Sequence, residues 1–288
     1  MDSRESMLEQ MLSRVGDLGF RRRIVRLMEC LDIKETDTVL DCGCGEGFYS
    51  MIISELYGPD LTAFDFNAEL LEKAADWIEG KKRVKFLNGD LTKGLPFEAN
   101  SFDKIVFTEV LEHLDEDAPT MKEIFRVLKP GGIVGLTVPN ASYPLFWDPP
   151  NWIRGHLGLG HFNPKNTVTG GVWSYDHKRL YRHGEIKRLA EETGFNVMEM
   201  ESVTHYCVPF NYLILRLGKL FYTSIPASLS TAETMEKFEW RKEAPKSRFD
   251  LIMTVFKLFK WVDSGNDRLR GVDKSSVSVL LKLEKPTS

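Results

Sequence analysis

The first half of the chain alternates short apolar runs with segments of helical periodicity. Residues 70–78 and 121–128 carry apolar side chains at helical spacing. The apolar runs that predict strands are 38–41, 61–65, 84–87, 104–108 and 133–138. Continuous apolar strands separated by helices are typical of a parallel sheet that is covered on both faces. We therefore predict an α/β fold with right-handed crossovers between its strands.

The pattern changes after residue 138. Residues 139–175 are rich in Pro, Gly, Asn and Trp and show no clear period. A loop of this length in a compact domain is usually functional. We predict that residues 140–175 form a lid over a bound acceptor, in which Asp148-Pro149-Pro150-Asn151 is a turn. Its aromatic side chains are Trp147, Trp152, Phe162 and Trp173.

Periodic patterns resume further along the chain and divide it into parts. A helical pattern covers 184–193, and strand patterns cover 195–208 and 277–283. The predicted parts are an N-terminal helical segment (1–35), a core (36–208 with 275–288) and a helical insertion (209–274).

The insertion has two apolar stripes at helical spacing. Residues 211–274 hold twelve Lys and Arg against eight Asp and Glu, a net charge of +4, whereas the whole chain carries −4. Three roles remain open for it: a cap on the sheet, a homodimer contact, or peripheral contact with a membrane surface. Its positive charge slightly favours an anionic or lipid-like acceptor.

Composition excludes several classes of protein. The 288 residues are 42% apolar and 28% charged, as in ordinary globular proteins. The sequence has no run of eighteen apolar residues, and its start, MDSRESMLEQ, lacks the apolar region of a signal peptide. Four irregularly spaced cysteines favour a reducing compartment. We therefore expect a cytoplasmic protein, and the negative net charge argues against a nucleic-acid partner.

The strongest local signal is a glycine-rich loop between a strand and a helix, in residues 38–48. Glycine allows a ligand to approach the backbone closely and adopts positive φ without strain. Asp65 ends the next predicted strand, where a carboxylate can accept hydrogen bonds from both ribose hydroxyls. The dinucleotide fingerprint G-x-G-x-x-G would need glycine at Phe48, so a NAD-dependent oxidoreductase is disfavoured. Asp41, just before the loop, suits a ligand with an amino group and a sulfonium.

An ordered set of motifs resembles the class I S-adenosylmethionine-dependent methyltransferases, in particular the small-molecule subgroup related to ubiquinone-biosynthesis O-methyltransferases. The motifs are VLDCGCGEGF, FDFN, FLNGDL, SFDKIVFTEVLEHL and LKPGGIVGLTVPN. They cover about residues 36–140, and the likeness extends to Phe195. The resemblance implies a Rossmann-like seven-stranded sheet, mostly parallel with an antiparallel last strand, with helices on both faces.

The resemblance also implies S-adenosylmethionine as the cofactor. The residues expected to bind it are Asp41, Gly43, Cys44, Gly45, Asp65, Phe66, Asp90, Leu91 and Thr108. The backbone of the glycine loop, including Gly47, would contact the methionine part, with Asp41 beneath it. Asp65 would hold the ribose, Asp90 would accept from the adenine amine, and Leu91 would flank the base. The backbone around Thr108 would border the methionine end.

Three histidines are candidates for a general base: His113, His161 and His177. Each has a structural or surface role as its alternative. Cys42 and Cys44 flank a glycine, but no two further ligands stand at a spacing suited to a metal, so we expect none.

The sequence therefore predicts a methyltransferase that transfers a methyl group in line to a small-molecule acceptor, at oxygen. Methylation at nitrogen or carbon, and a non-catalytic module that binds the cofactor, are the alternatives; a NAD-dependent oxidoreductase is the less favoured one.

Overall fold

The computed structural model of the protein describes residues 3–13, 15, 17–78, 80, 83–162, 176–206, 261–269 and 275–287. The predicted lid residues 163–175, with Trp173, and most of the predicted insertion (209–260 and 270–274) lie outside these ranges. Within them, no helix combines the length and apolar character needed to cross a membrane. The main elements are α1 (Ser3–Leu12), α2 (Leu18–Leu31), β1 (Thr38–Cys42), α3 (Phe48–Leu56), β2 (Asp60–Asp65), α4 (Ala68–Trp77), β3 (Val84–Asn88), β4 (Phe102–Thr108), α5 (Asp117–Val127), β5 (Leu128–Pro139), α6 (Pro149–His156), α7 (His183–Glu192), β6 (Asn196–Ser202) and β7 (Ser278–Glu284).

Seven strands form one sheet in the order β3-β2-β1-β4-β5-β7-β6. The pairs β1–β2, β1–β4, β2–β3 and β4–β5 are parallel, and the last strand, β7, is antiparallel. Backbone bonds of 2.8 Å from the Gly131 amide to the Lys285 carbonyl and 3.1 Å from the Lys285 amide to the Gly132 carbonyl hold β7 on β5. This architecture confirms the predicted Rossmann-like fold. The strand order reverses between β1 and β4, and open α/β sheets bind ligands at the carboxyl ends beside such a reversal.

Helices cover both faces of the sheet, as β5 illustrates. Successive residues of a strand point to opposite faces. A Cβ atom on Gly135 would lie 2.4 Å from Leu27 Cδ1, so α2 packs closely on that face. Val134 and Leu136 point the other way, into a buried cluster that includes residues of α5 and α7. Burial on both faces explains why the strand reads as a continuous apolar run.

Several element boundaries differ from the sequence prediction. β5 begins at Leu128 rather than at residue 133, because Leu128 pairs with Phe102 before a register shift in β4. β6 is shorter than the strand predicted over 195–208, since it ends at Ser202. The predicted turn at residues 148–151 instead begins helix α6: Asp148 accepts a bond from the Asn151 amide as the N-cap, and proline occupies the first turn.

The chain divides into two compact units. One comprises residues 24–141, 178–201 and 279–288 and contains most of the sheet. The other comprises residues 1–23, 142–177 and 202–278. Within this second group, the Arg22 guanidinium lies 2.8 Å from the Asp263 carboxylate and 2.5 Å from the Asp267 carboxylate. These ion pairs join the start of α2 to the described residues 261–269.

The close contact between α2 and β5 yields a stability prediction. Gly135→Ala places a methyl group against two fully buried side chains of α2, Leu27 and Leu31. We expect the free energy of unfolding to fall by about 1–3 kcal/mol, the usual cost of overpacking a core. Denaturant unfolding measures this, with Gly184→Ala as the control, because a Cβ atom there meets nothing within 4 Å. Equal stability of the two variants would contradict the packing argument.

Candidate functional site

The glycine loop after β1 is tied to the end of β2. The amides of Gly43 and Cys44 donate to the Phe64 carbonyl at 2.8 and 3.1 Å. The next amide, that of Gly45, donates to Oδ2 of Asp65 at 2.8 Å. These bonds form because β1 and β2 run parallel and end together, with Cys42 opposite Phe64. The parallel pairing therefore brings the predicted loop and the predicted carboxylate into direct contact.

The three glycines of the loop all have positive φ, between 52° and 79°. A Cβ atom on Gly43 would lie 2.3 Å from Val110 Cγ2, and one on Gly47 would lie 2.7 Å from the Ala74 Cβ atom. By contrast, a Cβ atom on Gly45 would meet nothing within 4 Å. Gly43 and Gly47 thus allow the loop to pack on its neighbours, whereas Gly45 leaves an open approach to the backbone.

The carboxylate of Asp65 is buried and is held by two backbone donors. Besides the Gly45 bond on Oδ2, its Oδ1 accepts from the Asn67 amide at 2.9 Å. Each carboxylate oxygen has a further acceptor position, so the side chain can still bind a pair of hydroxyls. Phe66, the next residue, is 75% exposed.

Asn88, which sequence reasoning missed, supports this turn from β3. Its side-chain amide donates to the carbonyls of Asp65 and Phe66 at 3.0 and 2.9 Å. The only signal in the sequence is its polar side chain at the end of an apolar run. The bonds fix the backbone at Asp65, the predicted ribose contact, and at Phe66 after it.

Asp90 caps a short 3-10 helix, Leu91–Lys93, after β3. Its Oδ1 accepts from the Thr92 amide at 3.0 Å and from the Thr92 hydroxyl at 2.6 Å. The hydrogen bonds from Thr92, followed by the neighbouring Lys93, lower the pKa of the Asp90 carboxyl. Asp90 is therefore an ionised acceptor at the carboxyl edge of the sheet. Leu91 beside it is buried.

Asp41, predicted to lie beneath the loop, is buried near the end of β1. Only 1% of the residue is exposed, and its Oδ2 accepts from the Ser50 hydroxyl of α3 at 2.6 Å. Burial raises the pKa of Asp41 to about 7, the hydrogen bond from Ser50 opposes this shift, and the charge of Asp65 adds to it. No motif in the sequence identifies Ser50 as the partner.

The loop after β4 begins with a strained residue. Thr108 is buried at the end of the strand, and Glu109, which follows it, has a φ of 53°. Such a left-handed conformation costs a residue of this type about 1–3 kcal/mol. Two contacts with Thr137 on β5 hold it: the Glu109 amide donates to the Thr137 carbonyl at 3.0 Å, and the Thr137 hydroxyl donates to Oε1 of Glu109 at 3.0 Å.

Of the three candidate histidines, His113 alone belongs to the unit that carries the predicted cofactor residues. It ends a 3-10 turn, Leu111–His113, and its Nε2 lies 3.8 Å from Oε1 of the fully buried Glu112. His161 and His177 belong to the other unit. Burial lowers the pKa of His161 from its ordinary value.

Burial of Asp41 predicts a pH dependence of stability. The carboxyl is protonated in both states only well below its unfolded pKa of 3.8. At higher pH the unfolded chain loses this proton first, because the pKa is about 7 in the fold. The free energy of unfolding should fall as pH rises from 4 to 7, by a few kcal/mol at about 1.4 kcal/mol per pKa unit.

The measurement is urea unfolding across this pH range for the wild type and for Asp41→Asn, which keeps an acceptor for Ser50. The difference in stability between the two proteins should change by that amount between pH 4 and 7. Asp60→Asn, on the exposed end of β2, serves as the control. Parallel profiles for the wild type and Asp41→Asn would contradict the raised pKa.

Sequence comparison matches residues 40–136 to the model of a methyltransferase domain. This range contains the glycine loop, Asp65, Asp90 and the loop after β4. Among curated proteins, the demethylmenaquinone methyltransferase of Staphylococcus aureus is 29% identical over 189 residues, which cover 62% of this chain and 76% of that protein.

Solved structures share the fold at low sequence identity. The [4+2]-cyclase SpnF has a TM-score of 0.55 and 19% identity, with 93% of this chain and 82% of that chain covered. Phosphoethanolamine N-methyltransferase 2 of Haemonchus contortus, in complex with phosphomonomethylethanolamine and S-adenosylhomocysteine, has a TM-score of 0.58 and 18% identity, with 93% of this chain and 53% of that chain covered. These structures show the shared fold. The matched domain and the similarity to a demethylmenaquinone methyltransferase, with the order of the motifs along the sheet, support a class I S-adenosylmethionine-dependent methyltransferase of the small-molecule type.

Proposed function

We propose that the protein transfers the methyl group of S-adenosylmethionine to a hydroxyl of a small, apolar acceptor. The observation that carries this proposal is the Glu112–His113 pair, in the loop that follows β4 beside the reversal of the strand order. A histidine with a carboxylate neighbour is the arrangement that general bases commonly use.

The residues at the carboxyl edge fit the cofactor. Gly45 offers open backbone to the methionine part, and the Asp65 carboxylate keeps two acceptor positions for the ribose hydroxyls. The ionised Asp90 suits the adenine amine, and exposed Phe66 offers an aromatic face beside the base. When bound, the cofactor supplies a methyl group attached to a sulfonium sulfur. The sulfur is the leaving group, and it becomes a neutral thioether.

The acidic side chains favour a cationic ligand at this edge. Asp65 is buried beside the glycine loop, where charge interactions are screened less than in water, and a bound cation would also favour the ionised form of Asp41. The protein's remaining task is to hold the acceptor in line with the reacting methyl and to keep water out. In our proposal His113 takes the hydroxyl proton at a ring nitrogen, and Glu112 orients the ring.

An apolar, lipid-like acceptor is supported by the first part of the predicted lid. Five large apolar side chains there are at least half exposed: Phe146, Ile153, Leu157, Leu159 and Phe162. The only acidic residue in this stretch, Asp148, is buried as the cap of α6. Five large apolar side chains left exposed within a short stretch of sequence are typical of a binding surface.

Methylation at carbon is a second candidate, because the matched relative is named for a demethylated menaquinone. The two reactions are separated by the product. Incubation with 13C-methyl-labelled cofactor and a panel of phenolic and quinol acceptors, followed by NMR of the product, distinguishes a methoxy carbon from a methyl on carbon or nitrogen. A methoxy product supports the proposal, and a C-methyl or N-methyl product overturns the assignment to oxygen.

The ribose assignment predicts the effect of removing the Asp65 carboxylate. Asp65→Ala should weaken binding of S-adenosylhomocysteine tenfold or more, since hydrogen bonds to a charged group are worth about 1.5–3 kcal/mol. Calorimetry measures the dissociation constant. Asp60→Ala is the matched control, because it removes a carboxylate from the other, exposed end of the same strand. Unchanged affinity in Asp65→Ala would exclude this residue from the ribose site.

The base assignment predicts a loss of turnover. With an acceptor found in the labelled screen, His113→Ala should lower the rate by roughly 10²–10⁴-fold while the affinity for S-adenosylhomocysteine changes little. His156→Ala is the control, since that exposed ring stacks on Trp152 of α6. Full turnover in His113→Ala would show that another group, or positioning alone, serves the reaction; His161→Ala and His177→Ala then test the other two candidates.

A further inference from the structure

Glu109 differs from the other strained residues of the described chain. The two other non-glycine residues with positive φ are Asp32 and Asn100. Aspartate and asparagine adopt this conformation more readily than other side chains do. Glutamate lacks that advantage, and Glu109 lies directly after β4, beside the reversal of the strand order. Backbone strain that persists at such a place is held by its surroundings and is commonly linked to function.

The holding contacts come from one residue of the neighbouring strand. Thr137 is fully buried, and it bonds Glu109 twice, once through its carbonyl and once through its hydroxyl. Thr108, the residue before Glu109, is paired with Thr137 in the sheet. The turn that follows β4 is therefore held at Glu109 by both the backbone and the side chain of Thr137 on β5.

The turn places the next residue against the glycine loop. Val110 fills the space beside Gly43 so closely that a Cβ atom on the glycine would lie 2.3 Å from Val110 Cγ2. Two residues after Gly43, the Gly45 amide donates a hydrogen bond to the Asp65 carboxylate. A displacement of Glu109 would thus move Val110 and free the loop at the position where it meets the cofactor.

We propose that Glu109 is a positioning residue for the cofactor: its bond to Thr137 fixes the turn after β4, and the turn holds Val110 against the glycine loop. The inference rests on the proposed function, since it takes the loop to bind S-adenosylmethionine. It adds a determinant of cofactor affinity that lies on β5, outside the motif that contacts the ligand.

The test compares two threonine–carboxylate bonds in the full chain. Thr137→Val removes the hydroxyl that bonds Glu109, whereas Thr137→Ser keeps it. Thr38→Val is the matched control: the Thr38 hydroxyl bonds the Asp103 carboxylate at 2.7 Å, at the opposite edge of the sheet. Calorimetry with S-adenosylhomocysteine gives the dissociation constant, and thermal unfolding gives the stability of each variant.

We expect Thr137→Val to weaken binding roughly tenfold, about 1.4 kcal/mol, with Thr137→Ser close to the wild type. Thr38→Val should lower the melting temperature without changing the affinity. If Thr137→Val does not fold, Glu109→Ala and Glu109→Gln replace it, because glutamine still accepts the threonine bond. The alanine variant should weaken binding and the glutamine variant should not.

Two results overturn the inference. One is wild-type affinity in both Thr137→Val and Glu109→Ala, which leaves the proposed function intact. The other is an equal loss of affinity in Thr38→Val, which makes the effect a general consequence of lower stability. A wild-type protein that does not bind S-adenosylhomocysteine would instead overturn the proposed cofactor site itself, and the inference with it.

Discussion

The hydrogen bond from the Gly45 amide to the Asp65 carboxylate holds together the edge of the sheet on which the rest of the site depends. It exists because β1 and β2 are parallel and end side by side, so that a loop leaving one strand meets the side chain that ends the other. The same carboxylate accepts from the Asn67 amide just before α4, and Asn67 itself caps that helix. One buried side chain therefore links a loop, a strand and a helix.

The three glycines of the loop show that one residue type can serve different physical needs. All three adopt positive φ, yet Gly43 and Gly47 are also required by the closeness of Val110 and Ala74. Gly45 alone among them has open space where a side chain would be. The spacing G-x-G-x-G thus combines two packing positions with one position of access, which a motif read from the sequence cannot separate.

The sequence predicted the sheet well because its central strands are buried on both faces and read as continuous apolar runs. It also drew attention to Asp65 and Asp90, since polar residues at the ends of such runs are conspicuous; their roles in binding the cofactor stay predictions. It missed Ser50 and Thr137, whose partners lie 9 and 28 residues away in the chain and are met only through packing. It misread residues 148–151, because proline suits both a turn and the first turn of a helix. Side-chain partners across elements depend on register, which composition and periodicity do not specify.

Under the proposed function, the order of the strands separates binding of the cofactor from chemistry on the acceptor. Most of the predicted cofactor residues lie at the ends of β1, β2 and β3 on one side of the reversal, whereas Thr108 ends β4 on the other side and the Glu112–His113 pair follows it. The β4 loop is anchored independently: the Lys178 amide donates to the Glu112 carbonyl at 2.9 Å, and Arg179 pairs with Asp117 at 2.7 Å. A change in that loop can therefore alter the reaction without disturbing the glycine loop, provided that the turn at its start keeps its shape. Solved structures that share this fold include both a cyclase and an N-methyltransferase, so the fold alone does not name the acceptor.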